Sequence, residues 1–188
     1  MKTIAVIGAG VTGVTTAFVL SELGYKVTVF EKQRYPSIVT SYANGGQLSA
    51  SNAEVWNHFG TILKAVTWLL KKDAPLKINF WPNWHKLSWL AEFLLQTKNY
   101  KKNTIQTVKM AIESRKYMQK IVDDARIEFD KSNCGILHIY KSHREFEHAH
   151  RVNELLALGG LERRRLTENE ILKIEPNLEK KFVGGYYT

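Results

Sequence analysis

Six residues near the amino terminus, Gly8-Ala9-Gly10-Val11-Thr12-Gly13, leave this chain few folds to choose from. They follow a short apolar run, Ile4-Ala5-Val6-Ile7, and open into a helix-like stretch from Val14 to Leu23. A second apolar run, Val27-Thr28-Val29-Phe30, then ends at Glu31. Strand, glycine turn, helix, strand and acid in this order predict a parallel βαβ unit built around a dinucleotide. Gly8 lets the chain turn sharply out of the strand. Gly10, without a Cβ, lets the backbone approach a pyrophosphate, and Gly13 lets the helix sit close to the sheet. The free amides and positive dipole end of the helix then face the phosphates. Glu31 stands eighteen residues beyond Gly13, where an acid accepts hydrogen bonds from a ribose and disfavours a 2′-phosphate. NADP is therefore the least suitable dinucleotide.

A secretory leader is the competing reading of the same stretch, since Lys2 precedes a mostly apolar run to Leu20. Three glycines at this spacing have no use in a leader, and Ser21-Glu22-Leu23 offers no small-residue cleavage site. No apolar run approaches the roughly 18 residues that span a bilayer. The single cysteine, Cys134, excludes an internal disulfide, fits a reducing compartment and reads as a small buried apolar residue. A cytoplasmic protein is expected, with peripheral contact to the inner face of the cytoplasmic membrane as the alternative.

The net charge of +9 is spread along the chain, with 10 basic and 5 acidic residues up to Tyr100 and 17 and 13 beyond it. A nucleic-acid binder would gather its charge into a stripe with stacking aromatics, so no nucleic-acid partner is expected. Arg163-Arg164-Arg165, after Gly159-Gly160, reads as a solvated loop.

Beyond Glu31 a polar loop runs to about Ser51, and a loop of that length in a compact domain is either functional or a surface connector. Three amphipathic helices are predicted next. The first carries Ile62, Leu63, Val66, Leu69 and Leu70 and ends at Lys71-Lys72 before Pro75; the second carries Leu87, Leu90, Ala91, Leu94 and Leu95. The third, from about Thr104 to Ile127, carries Ile105, Val108, Ile112, Met118, Ile121, Val122 and Ala125. All three apolar stripes read as core. Trp56, Trp68, Trp81, Trp84 and Trp89 read mainly as core too, with a membrane-facing surface as the alternative. Gly135 to Tyr140 reads as a strand. Ser142-His143-Arg144-Glu145 and Thr167-Glu168-Asn169-Glu170 are capping boxes, and Val183 to Tyr187 begins another strand. His148 and His150 point in different directions on a helix, and His143 and His150 lie two turns apart, so no metal site is expected. His138 reads as structural.

The amino-terminal motif combines with four other stretches. These are Thr40-Ser41-Tyr42-Ala43-Asn44-Gly45-Gly46-Gln47-Leu48-Ser49, Leu63-Lys64-Ala65-Val66-Thr67-Trp68-Leu69 followed by Asp73-Ala74-Pro75-Leu76, Ile174-Glu175-Pro176-Asn177-Leu178, and Val183-Gly184-Gly185. Together they resemble the D-amino acid dehydrogenase small subunit family, within the glycine/D-amino acid oxidase superfamily of flavoproteins. The resemblance implies FAD as the cofactor and a D-amino acid such as D-alanine as the substrate. The products would be a 2-oxo acid and ammonia, with electrons passed to a membrane-associated acceptor. It implies cofactor contacts at Val6, Ile7, Gly8, Ala9, Gly10, Val11, Thr12, Gly13, Val14 and Lys32, with Glu31 holding the adenosine ribose. Ser41, Asn44, Gly45, Gly46 and Gln47 would lie along the pyrophosphate and flavin side. It assigns no catalytic residue to this chain.

The expected fold class is α/β, with a Rossmann-like FAD-binding βαβ start, a helical insertion and part of a substrate-domain sheet. The domain boundaries implied are 1–50, 51–132 and 133–188. Members of the family continue well past residue 188, so the fold is expected to be incomplete in this chain. A second polypeptide supplying the carboxy-terminal half, or a truncated remnant without turnover, are the alternatives that follow. Another amine-oxidising flavoprotein, acting on sarcosine or glycine, is the competing activity.

Overall fold

A computed structural model describes residues 2–69, 73, 79 and 81–188 of the chain. They fall into two compact units, Met1–Leu48 and Ser49–Thr188.

In the first unit β1 (Thr3–Ile7) and β2 (Lys26–Phe30) pair in parallel, from Thr3 opposite Lys26 to Ile7 opposite Phe30. Helix α1 (Val11–Glu22) forms the connection. It starts three residues earlier than the apolar pattern alone suggests, because the glycine turn is short. It ends where Gly24, at φ +80°, takes the left-handed conformation and Tyr25 N–H donates back to the Leu20 carbonyl at 3.1 Å. This is the predicted βαβ unit, followed by the predicted irregular loop. Its burial is slight. Ala9 is its one fully buried apolar residue among the described residues, while Ile7 is 81% and Phe30 55% exposed. Two parallel strands under one helix leave a sheet face and edges uncovered, and such sheets gain stability when both faces are covered.

The second unit carries a short helical turn at Ala50–Asn52, then α2 (Phe59–Leu69), α3 (Trp84–Leu95) and α4 (Tyr100–Asp124). After these come β3 (Leu137–Tyr140), α5 (His143–Leu158), β4 (Arg164–Leu166), α6 (Glu168–Ile174) and β5 (Gly184–Tyr187). The sheet runs β3-β5-β4, antiparallel throughout, with Ile139 opposite Gly185 and Leu166 opposite Gly185 on its other side. Gly185 is tightly enclosed, since a Cβ there would stand 2.4 Å from the His138 carbonyl oxygen. Both predicted helix starts on this side hold. The Ser142 hydroxyl accepts from Glu145 N–H, and Thr167 and Glu170 form a reciprocal capping box.

Three apolar clusters make the core. Val108 of α4 packs with Val152 and Leu156 of α5, Leu161, Ala50 and Ala53. Phe146 and Ala149 pack with Tyr186, and Leu166 and Ile171 with Phe182. The boundary expected at 132/133 therefore lies inside one compact unit, because α4 and α5 share a core.

Several local expectations change. The stripe of α3 is not core: none of its residues is fully buried, and Leu87, Leu94 and Leu95 are half or more exposed. Trp56, Trp81, Trp84 and Trp89 are likewise exposed. Periodicity marks an apolar face but does not supply the surface that covers it. The basic triplet is not simply a solvated loop: Arg164 and Arg165 open β4 and stay exposed, while Arg163 just ahead of the strand turns inward. Arg163 is buried, its Nε donates to Asn153 Oδ1 at 3.0 Å, and its guanidinium lies 4.7 Å from the Tyr186 ring centre. Cys134 is exposed rather than buried. The predicted end of the first amphipathic helix, Leu70 to Lys72 with Pro75, lies outside the described residues. No helix among the described residues is long and apolar enough to cross a membrane.

Leu156 is fully buried and Leu158, two residues on, is 67% exposed. Leu156→Ala is expected to lower stability by about 2–5 kcal/mol, and Leu158→Ala to change it by less than about 0.5 kcal/mol, as read by urea denaturation.

Candidate nucleotide site

The glycine turn is built from backbone contacts. Gly8, at φ +96°, donates its N–H to the Phe30 carbonyl at 2.7 Å and so carries the parallel ladder one step past β1. A Cβ on Gly13 would stand 1.9 Å from the Gly8 carbonyl oxygen, so only glycine allows α1 to rise this close to the strand it leaves. Gly10 has ordinary extended backbone, φ −74° and ψ 179°, and a Cβ there would sit 3.4 Å from Ser41 Oγ. Neither its backbone angles nor its neighbours demand glycine here; what the missing side chain leaves is open space along the pocket that Gly10 borders.

Glu31 closes the turn. Its Oε2 accepts Ala9 N–H at 2.6 Å and its Oε1 accepts Gln33 N–H at 2.9 Å. The Ala9 amide first, then that of Gln33, holds the carboxyl below the usual carboxylate range. Each carboxylate oxygen keeps a further lone pair for an outside donor. The Ser41 hydroxyl accepts Val11 N–H at 2.9 Å, supplying a cap for α1 from thirty residues away. Ser37 fastens the loop by donating both its amide and its hydroxyl to the Ala9 carbonyl, at 2.9 and 3.2 Å. Neither Ser37 nor Gln33 was selected by sequence pattern, and both are found only once the loop folds back on the turn.

These residues surround a pocket of about 420 Å³, lined among others by Ile7, Gly8, Gly10, Glu31, Lys32 and Ser41. Ala9 is buried beneath it, and Thr12, Gly13 and Val14 continue into α1. Val6 lies behind Gly13, its Cγ1 3.6 Å from the position a Cβ would take there. Asn44, Gly45, Gly46 and Gln47 lie outside that lining. Asn44 spends its side chain on the loop, donating to the Ser41 carbonyl at 3.1 Å and accepting Gly46 N–H at 2.7 Å. Gly45 and Gly46 have open space where a Cβ would be.

A second polar constellation belongs to the other unit. Glu54 and His58 lie in the segment ahead of α2, and His148 comes from α5. Glu54 Oε1 is 3.8 Å from His58 Nε2 and 3.2 Å from His148 Nε2, and it accepts the Tyr100 hydroxyl at 2.6 Å. Burial pulls His58 below the ordinary imidazole range, and burial together with the Glu54 bond pushes the Tyr100 phenol up. Sequence spacing shows Glu54 and His58 four apart but gives no hint of His148, which is brought in by the packing of α5. His138 is half-buried, and its Nε2 meets the Ser51 hydroxyl at 2.8 Å, which in turn meets Ser49 Oγ at 2.8 Å. Burial keeps His138 below its ordinary value.

Comparison with known proteins places this geometry. The model of the FAD-dependent oxidoreductase family called DAO matches residues 3–188. The chain is 54% identical over 188 residues to D-amino acid dehydrogenase 3 of Mesorhizobium japonicum, covering 100% of this chain and 46% of that protein. It is 36% identical over 192 residues to D-amino acid dehydrogenase of Paramagnetospirillum magneticum, covering 98% of this chain and 45% of the relative. The chain thus spans about half the length of the curated relatives it matches. Among solved structures it resembles L-proline dehydrogenase from P. horikoshii, with a TM-score of 0.65 at 17% identity, covering 100% of this chain and 36% of the other. It also resembles dithionite-reduced L-α-glycerophosphate oxidase from Mycoplasma pneumoniae with FAD bound, with a TM-score of 0.58 at 20% identity, over 100% of this chain and 38% of that one. At these identities the structural likeness concerns the fold.

The depressed Glu31 carboxyl has a pH consequence. Its contribution to stability is present above the value the group has when unfolded, and is lost as pH falls through the lower folded value. The Ala9 amide proton is expected to titrate with a midpoint below the ordinary carboxylate range in NMR spectra, and to lose that titration in Glu31→Gln.

Proposed function

We propose, from the premise that this chain belongs to the DAO family of FAD-dependent oxidoreductases, that it is the amino-terminal, nucleotide-holding part of a D-amino acid dehydrogenase. The similarity to the Mesorhizobium enzyme over the whole of this chain carries the reading. The site fits the group. Gly10 borders the pocket without a side chain, α1 starts directly after it, and Glu31 has acceptor capacity left after its two backbone bonds.

In this reading Gly8, Ala9 and Gly10 let the main chain approach the diphosphate of FAD, and Thr12 and Gly13, beyond the Val11 amide that Ser41 caps, present amides and the helix dipole to its charge. Glu31 accepts the adenosine ribose hydroxyls without releasing Ala9 and Gln33. Lys32 borders the same pocket, and Val6, Ile7 and Val14 flank the turn with apolar surface. Ser41 directs its hydroxyl at the start of α1, and Asn44 holds Gly45, Gly46 and Gln47 in a loop open enough to lie along the flavin side. When bound, FAD supplies a hydride acceptor: the Cα hydride of a D-amino acid passes to it with loss of an amine proton, and water hydrolyses the imino acid to a 2-oxo acid and ammonia. The residues that grip the substrate, and the strands that would extend the β1-β2 sheet, are assigned to the part of the relatives that this chain does not span. The exposed Ile7, Val29 and Phe30 of β1 and β2 support this, because they are apolar surface that a longer sheet would cover.

A peripheral membrane contact, through which electrons would reach a membrane-associated acceptor, is supported by one feature of the fold. Trp84, Leu87, Trp89 and Leu95 of α3 are all at least half exposed.

The central experiment purifies the chain with FAD, alone and co-expressed with the carboxy-terminal half of the Mesorhizobium relative. A yellow protein whose flavin absorbance D-alanine bleaches in the co-expressed form supports the reading. Bleaching by sarcosine and not by D-alanine would favour another amine-oxidising flavoprotein, and a colourless product a remnant without turnover. Gly10→Val is expected to abolish flavin retention while leaving the unfolding midpoint near that of the parent, since its backbone angles suit valine. For the membrane contact, Trp84→Ala/Trp89→Ala is expected to reduce co-sedimentation with anionic vesicles; unchanged sedimentation would remove α3 from that role.

A further inference from the structure

We propose that Glu54, His58 and His148 form a binding site for one divalent transition-metal ion of the zinc class. The three donor atoms lie within 4.8 Å of one another. In a tetrahedral site with ligands about 2.1 Å from the metal, neighbouring ligand atoms stand about 3.4 Å apart. The two separations measured from Glu54 Oε1, 3.2 Å to His148 Nε2 and 3.8 Å to His58 Nε2, lie on either side of that value. Small side-chain rotations would therefore bring all three onto one ion.

The donor set selects the metal. Two imidazoles and one carboxylate suit zinc, cobalt, nickel or copper, whereas calcium and magnesium require mostly oxygen ligands. Two imidazoles and a carboxylate also match the three-ligand pattern that leaves a fourth position to water or a small anion. Open space is at hand for it: His58 and His148 border one pocket of about 1130 Å³ and another of about 320 Å³.

The surroundings orient the ligands. Tyr100 donates its hydroxyl to Glu54 Oε1 at 2.6 Å, and that oxygen has a second lone pair for a metal. The Thr61 hydroxyl bonds His58 Nε2 at 2.8 Å and would yield that nitrogen to the ion. The opposing influence is charge. Lys64 borders the larger pocket and Arg151 borders both, and each cation weakens the hold on a dication. The competing structure is an ion-free hydrogen-bonded cluster of the same four side chains. The site belongs wholly to the unit Ser49–Thr188, so the proposal stands independently of the nucleotide reading.

The test uses the whole 188-residue chain, free of any histidine tag and dialysed against a chelator, titrated with Co²⁺ and with Zn²⁺. The expected result is one Co²⁺ per chain with the visible absorption of a tetrahedral nitrogen–oxygen site, displaced by Zn²⁺. His58→Gln and His148→Gln are expected to abolish the band while keeping the parent's circular dichroism and unfolding midpoint. Tyr100→Phe is expected to weaken Zn²⁺ binding about 10- to 100-fold. Cys134→Ser should leave binding unchanged. Failure of Co²⁺ to bind stoichiometrically would overturn the proposal, as would undiminished binding in the His58→Gln/His148→Gln double variant.

Discussion

The close approach of α1 to β1 at Gly13 is the contact from which the nucleotide unit takes its form. With the Gly8 carbonyl oxygen 1.9 Å from where a Cβ would be, any side chain at Gly13 would push the helix off the strand. The helix start would move with it, and so would the Val11 amide that Ser41 caps and the Ala9 amide that Glu31 holds. The residues that shape the pocket thus depend on a steric vacancy at one position. Glu31 fastens the same arrangement from the other strand, so both ends of the crossover converge on a few backbone atoms of the turn.

The two units differ in how they secure their folds. The second unit has conventional clusters, with Val108, Leu156, Leu166, Ile171 and Tyr186 almost wholly withdrawn from water. The first relies on backbone pairing and side-chain-to-backbone bonds, and buries little apolar area. A parallel pair of strands gains most when further strands and helices cover it, and apolar burial at about 25 cal/mol per Å² is the dominant stabilising term. The turn can therefore be well defined locally while the unit around it has much apolar surface still in contact with solvent.

Arg163 shows how a polar residue becomes part of a core. Its neighbours in sequence made it look like one of three solvated cations. Pairing of β4 with β5 instead sets it over the Tyr186 ring and within reach of Asn153, so its charge is matched to a ring face and a side-chain oxygen. The Glu54, His58 and His148 cluster arises in the same way, because His148 reaches the other two through the packing of α5. Residues ninety positions apart have no common period, and no pattern read along the chain can bring them together.

The sequence by itself determined what depends on local chemistry: the βαβ start, the glycines of its turn, the acid that ends β2, the long polar loop, the two capped helices and the strands at 137–140 and 184–187. Each follows from short-range sterics, hydrogen bonding or side-chain period, which are carried by neighbouring residues. Only the tertiary structure decided what depends on a distant surface. It exposed the apolar face of α3 and four tryptophans, buried Arg163 just ahead of β4, and gave both oxygens of Glu31 backbone partners. It also drew Ser37 and Ser41 onto the turn and gathered a carboxylate and two imidazoles into one cluster. Burial and long-range pairing are settled by which surfaces meet, and that is a property of the folded chain as a whole.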